Sequence, residues 1–152
     1  MPFCRLFYHL VWATKNRLPL IGPEFEEKLH AYLRHKASEM ECKVYALNGW
    51  QDHVHLVMSI PSKLSVAEVV KRLKGASSHE FSELYWQRGY GALSVSERNL
   101  GAAAEYVMRQ KEHHTKQTAF TRLERCEDDI DEGGKSVKDE AGLYLVEGMD
   151  LF

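Results

Sequence analysis

The segment KVYALNGWQDHVHLVMSI, residues 43–60, predicts two antiparallel strands joined by a short turn. Lys43–Trp50 and His53–Ile60 are rich in β-branched, aromatic and aliphatic residues, and the polar pair QD lies between them. Side chains on a strand alternate between its two faces, so His53 and His55 point to the same side. The other side of the second strand is an unbroken apolar row. The hairpin therefore predicts a sheet with one apolar face and two imidazoles on the other.

Helix and strand patterns on both sides of the hairpin complete a familiar element order. Ser65 and Glu68 have the spacing of a capping box at the start of the second helix, and Gly75 within that helix predicts a close contact with a neighbour. The predicted elements are a strand at residues 5–14, a helix at 24–40, the two hairpin strands, a helix at 65–86, a strand at 89–96 and a helix at 97–114. The order β-α-β-β-α-β predicts an α+β, ferredoxin-like antiparallel sheet with helices on one face, plus a C-terminal helix.

Size and cysteine content narrow the class of protein. A chain of 152 residues is typical of one domain that buries its own core. No apolar run is long enough to cross a membrane, and the N-terminus lacks the pattern of a signal peptide. Three cysteines, scattered at positions 4, 42 and 126, fit neither a disulfide framework nor a zinc ribbon. We therefore expect a cytoplasmic protein without a membrane partner.

Charge is distributed unevenly along the chain. Up to Arg122 there are 17 Lys and Arg against 12 Asp and Glu, whereas from Leu123 onward there are 3 against 10. A basic domain followed by an acidic segment favours a polyanionic partner. The charge pattern alone is equally typical of a soluble domain with a solvating tail, so it leaves both interpretations open.

The two histidines of the hairpin have two possible roles. Imidazole binds divalent transition metals, and His-x-His on a strand supplies two ligands from one face. A catalytic metal needs a third protein ligand and open positions for substrate. The alternative is a pair of polar residues at a strand end that hydrogen-bond to the protein or to water. The apolar surroundings favour a specific partner, because an unpaired imidazole in a core is costly.

Two polar residues share one face of the last predicted helix. Tyr106 and Gln110 are four positions apart, and His113 follows three residues later. Tyr106 lies at the edge of the apolar stripe of this helix, where we expect its ring to be half-buried. Taken alone, such a tyrosine is more often a packing residue than a nucleophile.

In combination, HVHLV on a strand, a basic amphipathic helix and YVMRQ on the last helix resemble the HUH endonuclease superfamily. The similarity is greater to the single-tyrosine transposases of small bacterial insertion sequences, the IS200-like family, including REP-associated tyrosine transposases. Further matching blocks are HLVWATKNRLPL, NGWQDHVHLVMSIP, KLSVAEVVKRLKGASS and WQRGYGALSVS. The resemblance predicts a transposase and nuclease domain at residues 1–118 and leaves an acidic, partly flexible tail at 119–152.

The resemblance implies a reaction and assigns the residues that perform it. His53, His55 and Gln110 would bind Mg²⁺ or Mn²⁺, which polarises the scissile phosphate of single-stranded DNA. Tyr106 would attack the phosphorus and form a covalent 5′-phosphotyrosine. This linkage keeps the bond energy available for rejoining, so no nucleotide cofactor is needed. The protein would therefore be a metal-dependent DNA endonuclease and strand transferase. His113 and His114 receive no role from the resemblance.

The family also implies DNA with hairpins as the substrate and a homodimer as the assembly. Phosphate contacts and base stacking would come from basic and aromatic residues of loops and of the second helix. The candidates are Lys15, Asn16, Arg17, Lys71, Arg72, Lys74, Arg88 and Tyr90. Each of these side chains could equally be a solvated surface residue.

Other uses of paired histidines fit the sequence less well. A histidine-triad hydrolase needs a third histidine at the position of Val57, and a two-histidine phosphoesterase needs a second His-x-Thr or His-x-Ser motif on a strand. The remaining alternative is a domesticated, REP-associated protein that binds or processes DNA hairpins but is not mobile. His53, His55, Tyr106 and Gln110 do not distinguish that protein from the enzyme of a mobile element.

Overall fold

The computed structural model describes residues 3–112, so His113, His114 and the predicted tail at 119–152 lie outside the described residues. The main elements are β1 (Phe7–Ala13), α1 (Pro23–Glu39), β2 (Lys43–Trp50), β3 (His53–Ser59), α2 (Val66–Glu80), β4 (Gly91–Val95) and α3 (Leu100–Met108). Short 3-10 helices at Lys15–Arg17 and Glu97–Asn99 follow β1 and β4. The strands form one antiparallel sheet in the order β2-β3-β1-β4. This confirms the predicted α+β, ferredoxin-like arrangement.

The hairpin of β2 and β3 turns at the predicted position. Asn48 pairs with His55 and Trp50 pairs with His53, so the turn consists of the two residues between the strands. Gly49 is required by this pairing, because a Cβ at that position would lie 2.3 Å from the carbonyl oxygen of His53. The absence of a side chain at Gly49 thus lets β2 approach the backbone of His53.

The main core lies on the face of the sheet that α1 and α2 cover. Alternation along β3 sends Val54, Leu56 and Met58 into this core, where none of the three has any exposed surface. They pack with buried residues of both helices, including Leu33 of α1 and Leu73 of α2. Burial of this apolar surface supplies the main driving force for folding.

The opposite face of the sheet is covered by α3. Its buried residues Ala103, Tyr106 and Val107 pack on Val57 of β3 and on Phe7 of β1. The two histidines of β3 point to this same face, so α3 closes the histidine pair off from solvent. The first two helices and the third therefore sit on opposite sides of the sheet.

Three details of the predicted helices are wrong. α2 ends at Glu80 instead of residue 86, because Phe81 leaves the helical conformation with φ −110° and ψ 99°. α3 ends at Met108, and Arg109 separates it from one further helical turn at residues 110–112. Gly75 makes no close contact, since a Cβ there would have no atom within 4 Å. The Ser65 cap is confirmed by a 3.0 Å hydrogen bond from the backbone N–H of Glu68 to the Ser65 hydroxyl.

Among residues 3–112, the structure contains no helix with the length and apolar character needed to cross a membrane.

Candidate metal and tyrosine site

Side chains from three elements meet on the α3 face of the sheet. His53 and His55 of β3 are 2% and 0% exposed, and their ring centroids lie 5.0 Å apart. Gln110, just beyond α3, is fully buried, and Tyr106 of α3 is 2% exposed. The structure thus brings together, within one chain, the four residues that the resemblance singled out.

His53 is held at both ring nitrogens. Its Nδ1 lies 2.7 Å from Oδ1 of Asp52. An ionised carboxylate only accepts hydrogen bonds, so His53 Nδ1–H is the donor in this contact. In the neutral ring Nε2 then carries the lone pair, and it lies 3.3 Å from Nε2 of Gln110. Asp52 therefore selects the tautomer of His53 that can bind a metal through Nε2.

Gln110 supplies an amide beside this nitrogen. With His53 Nε2 as the acceptor, the Gln110 amide N–H donates the 3.3 Å hydrogen bond. A half-turn of the amide about its last side-chain bond exchanges nitrogen for oxygen, so the same side chain can present a carbonyl oxygen to a cation. Among residues 3–112, no group of three His, Cys, Asp or Glu side chains is arranged to hold a metal ion. The donors that His53, His55 and Gln110 offer are two imidazoles and one amide.

His55 has a partner that no sequence motif indicates. Nδ1 of His55 lies 2.7 Å from Nε2 of His9 on β1, and the two rings stack with centroids 4.9 Å apart. His9 is only 2% exposed. Alternation along β1 indicates that His9 and Val11 point to the same face of the sheet. It does not indicate contact with His55, because that contact depends on β1 pairing with β3.

Tyr106 is buried more deeply than predicted. The expected half-buried ring is wrong, because α3 presses it against the sheet beside Val57. Its ring centroid lies 6.3 Å from that of His9 and 6.3 Å from that of His55. Tyr106 therefore covers His9 and His55 on the side of α3.

The end of α3 is fastened to β2. The side-chain amide of Asn48 donates a 3.0 Å hydrogen bond to the carbonyl of Met108, the last residue of α3. Lys111 donates to the Asn48 side-chain oxygen at 2.8 Å and forms an ion pair with Glu26 of α1. These contacts bracket Gln110 in the chain, so they fix its position over His53.

The basic loop after β1 lies next to the histidines. Ala13 at the end of β1 pairs with His53, and the backbone N–H of Thr14 donates to the carbonyl of Asp52 at 2.8 Å. Lys15, Asn16 and Arg17 are all exposed, and Arg17 lies 3.9 Å from the carboxylate of Asp52. Three of the predicted DNA-contacting residues are thus beside the site.

The predicted contacts on α2 are not beside the site. Lys71 and Arg72 are exposed on the helix that packs on the opposite face of the sheet, and Arg72 forms a 2.8 Å ion pair with Glu68. Lys74 braces the loop before β4, since its ammonium donates to the carbonyls of Gln87 and Gly89 at 2.7 and 2.9 Å.

The loop before β4 contains an exposed aromatic ring that is not among the predicted DNA contacts. Arg88 is exposed there as predicted, whereas Tyr90 is half-buried and packs on the main core. Tyr85 is 59% exposed, and its carbonyl accepts a 2.9 Å hydrogen bond from the backbone N–H of Lys15. Tyr85 therefore stands at the basic loop with its ring in solvent.

A family model described as "Transposase IS200 like" matches residues 3–110, which include β1 to α3 and Gln110. The chain belongs to the IS200-like transposase family. The match includes every residue of the histidine, glutamine and tyrosine cluster. An IS200-like transposase is an enzyme of DNA transposition, so the predicted family and enzyme class are confirmed. The domain boundary at 118 stays a prediction.

Two curated relatives are transposases of insertion sequences. The ISDra2 transposase TnpA of Deinococcus radiodurans is 30% identical over 118 residues, which are 70% of this chain and 84% of the relative. The transposase of insertion sequence element IS200 from Salmonella typhimurium is 28% identical over 117 residues, which are 69% and 76% of the two chains. This IS200-like transposase thus shares most of its length with both.

Two solved structures share the fold. The crystal structure of a proposed transposase from Deinococcus radiodurans R1 superposes with a TM-score of 0.58 at 28% identity, over 72% of this chain and 95% of that one. A REP-associated tyrosine transposase bound to a REP hairpin superposes with a TM-score of 0.59 over 91% and 100%. At 11% identity, the second similarity supports the fold of the IS200-like transposase and nothing more.

Proposed function

We propose that this protein cleaves and rejoins single-stranded DNA with the help of a divalent metal ion, through a covalent 5′-phosphotyrosine on Tyr106. The observation that carries the proposal is the placement of Tyr106 and Gln110 by α3 over His53 and His55, in a chain of the transposase family. Structural packing alone does not require two buried histidines, a buried glutamine and a buried tyrosine on one face.

The donor set fits a divalent ion. His53 Nε2, His55 and the amide oxygen of Gln110 would hold Mg²⁺ or Mn²⁺; the amide oxygen suits both ions, and the two imidazoles favour Mn²⁺ over Mg²⁺, which prefers oxygen ligands. Asp52 supports this role, because it keeps the proton of His53 on Nδ1. When bound, the ion would polarise the scissile phosphate as a Lewis acid.

Tyr106 would be the nucleophile. Its phenolic oxygen forms a bond to phosphorus, the bond from phosphorus to the 3′ oxygen of the preceding nucleotide breaks, and that oxygen takes up a proton as the 3′-hydroxyl. The phenol loses its proton in the same step. Attack of a different 3′-hydroxyl on the phosphotyrosine reverses the chemistry and joins a new strand. Because the phosphotyrosine linkage retains the energy of the broken phosphodiester bond, no nucleotide cofactor is required.

The DNA strand would approach along the loop after β1. Lys15 and Arg17 supply positive charge beside Asp52, and the exposed ring of Tyr85 can stack on an unpaired base. Arg88 extends this surface along the loop before β4. We propose Asn16 as a hydrogen-bonding contact to the same stretch of backbone.

Hairpin-bearing DNA is the proposed substrate, as the resemblance to the IS200-like transposases implies. Lys71 and Arg72 would contact a part of such DNA that lies away from the histidines, since α2 is on the other face of the sheet. A homodimer is part of the proposal, and sedimentation velocity of the full chain tests it. The two histidines, the glutamine and the tyrosine of the proposed site all come from one chain. A monomer would therefore contain the complete site.

Labelled single strands from the flanks of the gene, each with a hairpin, test the proposed reaction in the presence of Mn²⁺ or Mg²⁺. We expect a covalent protein–DNA adduct that survives denaturation and requires the metal. Tyr106→Phe should abolish the adduct, and Tyr45→Phe is the matched control because Tyr45 packs on the same cluster of α3 and sheet residues. An adduct that persists in Tyr106→Phe would refute the assignment of the nucleophile.

A further inference from the structure

His9 is a buried, ionisable side chain to which the proposed reaction gives no role. It lies on β1, is 2% exposed, and contacts His55 through a 2.7 Å hydrogen bond between its Nε2 and Nδ1 of His55. The rings are nearly parallel, with an interplanar angle of 27°. The ring of Tyr106 lies across both of them. An imidazole in such a place has one orientation and a fixed partner.

The hydrogen bond admits two arrangements of protons between neutral rings. If His9 donates from Nε2, then His55 carries its own proton on Nε2 and cannot bind a metal through that atom. If His55 donates from Nδ1, then His55 Nε2 has a free lone pair and His9 carries its proton on Nδ1. Only the second arrangement leaves His55 ready to be a ligand through Nε2.

We propose that His9 is a positioning residue that accepts the Nδ1 proton of His55 and so prepares His55 to bind the metal. The inference rests on the proposed metal site. It gives His55 the same kind of support that Asp52 gives His53, because each metal-binding ring would donate its second N–H to a fixed acceptor. His9 touches neither metal nor DNA in this account.

Burial makes the arrangement strict. A polar hydrogen that loses its acceptor inside a protein costs the full desolvation of that group, and His9 Nε2 lies within hydrogen-bond distance of His55 Nδ1, at 2.7 Å. Main-chain pairing of β1 with β3 places Val11 opposite His55 and His9 opposite Val57, which holds the two rings at a fixed offset along the sheet. The His9 ring stacks on His55 and makes a T-shaped contact with Tyr106, with centroids 6.3 Å apart, and these two contacts restrict its rotation.

The proton positions can be measured in the metal-free protein by ¹⁵N NMR of the histidine ring nitrogens. We expect His55 and His9 both to carry their protons on Nδ1, with both Nε2 atoms unprotonated. A proton on Nε2 of His55 would overturn the inference, whether or not the protein cleaves DNA. This readout does not depend on activity of the metal-loaded enzyme.

Binding of Mn²⁺ to variants, followed by calorimetry or electron paramagnetic resonance, tests the consequence. His9→Leu removes the acceptor and should weaken Mn²⁺ binding by about 10- to 100-fold, the usual effect of losing a partner of a metal ligand. His9→Gln restores an acceptor and should recover most of the affinity. His35→Leu, at an exposed histidine of α1, is the control and should leave the affinity unchanged.

The outcomes separate this inference from the proposed function. If His53→Ala loses Mn²⁺ while His9→Leu binds it as tightly as the wild type, the role of His9 is wrong and the metal site stands. If the wild type binds no Mn²⁺, both are wrong. Equal losses in His9→Leu and His9→Gln, with both variants folded, would also contradict an acceptor role.

Discussion

Replacing Gly49 by alanine should disturb the site through the backbone of His53. The new methyl group would lie 2.3 Å from the carbonyl oxygen of His53, whereas ordinary contact begins at 3.4 Å. The second near atom is Cα of Val54 at 3.1 Å, so the obstacle is backbone that cannot rotate away. The hairpin must therefore open by about 1 Å at this point.

The size of the effect follows from that displacement. Overpacking of this kind costs about 1–3 kcal/mol of the free energy of unfolding. A misplacement of about 1 Å in a catalytic group lowers a rate by about 100-fold, so formation of the covalent adduct should slow by that factor. Urea denaturation measures the first quantity, and the time course of adduct formation measures the second.

Gly75→Ala is the matched control for this prediction. A Cβ at Gly75 meets no atom within 4 Å, and alanine is favoured over glycine inside a helix by about 1 kcal/mol. The control should therefore be slightly more stable than the wild type and equally active. A Gly49→Ala protein with the stability and adduct rate of the wild type would refute the claim that Gly49 is needed to place His53.

Three further results are expected. Burial lowers the pKa of His30 to about 4, against the opposing effect of Glu26, so the unfolded chain takes up a proton below pH 6.5 that the folded chain refuses until about pH 4. The stability that this difference provides is present above pH 6.5 and is lost as the pH falls to 4. This stability amounts to about 3 kcal/mol. Between pH 6.5 and pH 4, urea denaturation should show that the free energy of unfolding falls by about 3 kcal/mol less in His30→Leu than in the wild type. Equal pH dependence in the two proteins would contradict this role of His30. Tyr85→Ala should weaken binding of single-stranded DNA by about 1–3 kcal/mol in a fluorescence anisotropy titration, whereas Tyr90→Phe should not; equal effects would contradict base stacking on the exposed ring. Asn48→Ala removes the side chain that fastens Met108 and Lys111, so protection of α3 amides in hydrogen exchange should fall while that of α1 is unchanged; uniform protection would argue against this role.

The hairpin was predictable because its alternation of side chains and its polar turn both indicate two antiparallel strands. Alternation over His53–Ile60 and the polar turn before it define two strands, and β2 spans the predicted residues Lys43–Trp50. The second helix was predicted too long because Phe81 and Leu84 continue the helical spacing of apolar residues. In the structure both lie in the chain after the helix, where Leu84 is buried and the half-buried Phe81 packs against the ring of Phe25. Tertiary packing, which the local pattern does not contain, made this difference.

The candidate site was predictable only in the residues that form a motif. His53, His55, Tyr106 and Gln110 stand in recognisable spacings, and the structure places them together. His9 belongs to a different strand, and its contact with His55 depends on β1 lying next to β3. Tyr85 is exposed whereas Tyr90 is half-buried, and the sequence did not show this because exposure of a loop residue depends on which neighbours cover it. Contact of Tyr90 with DNA stays a prediction.

Mass spectrometry of the protein–DNA adduct identifies the nucleophile and shows whether its reaction requires the metal. After incubation of the wild-type protein with a hairpin-bearing single strand and Mn²⁺, the adduct is digested with nuclease and protease. We predict one modified peptide, with a nucleotide 5′-phosphate attached to Tyr106, and no modified peptide when the metal is removed by a chelator. A nucleotide attached to any other residue, or an adduct at Tyr106 that forms equally well without metal, would contradict the account.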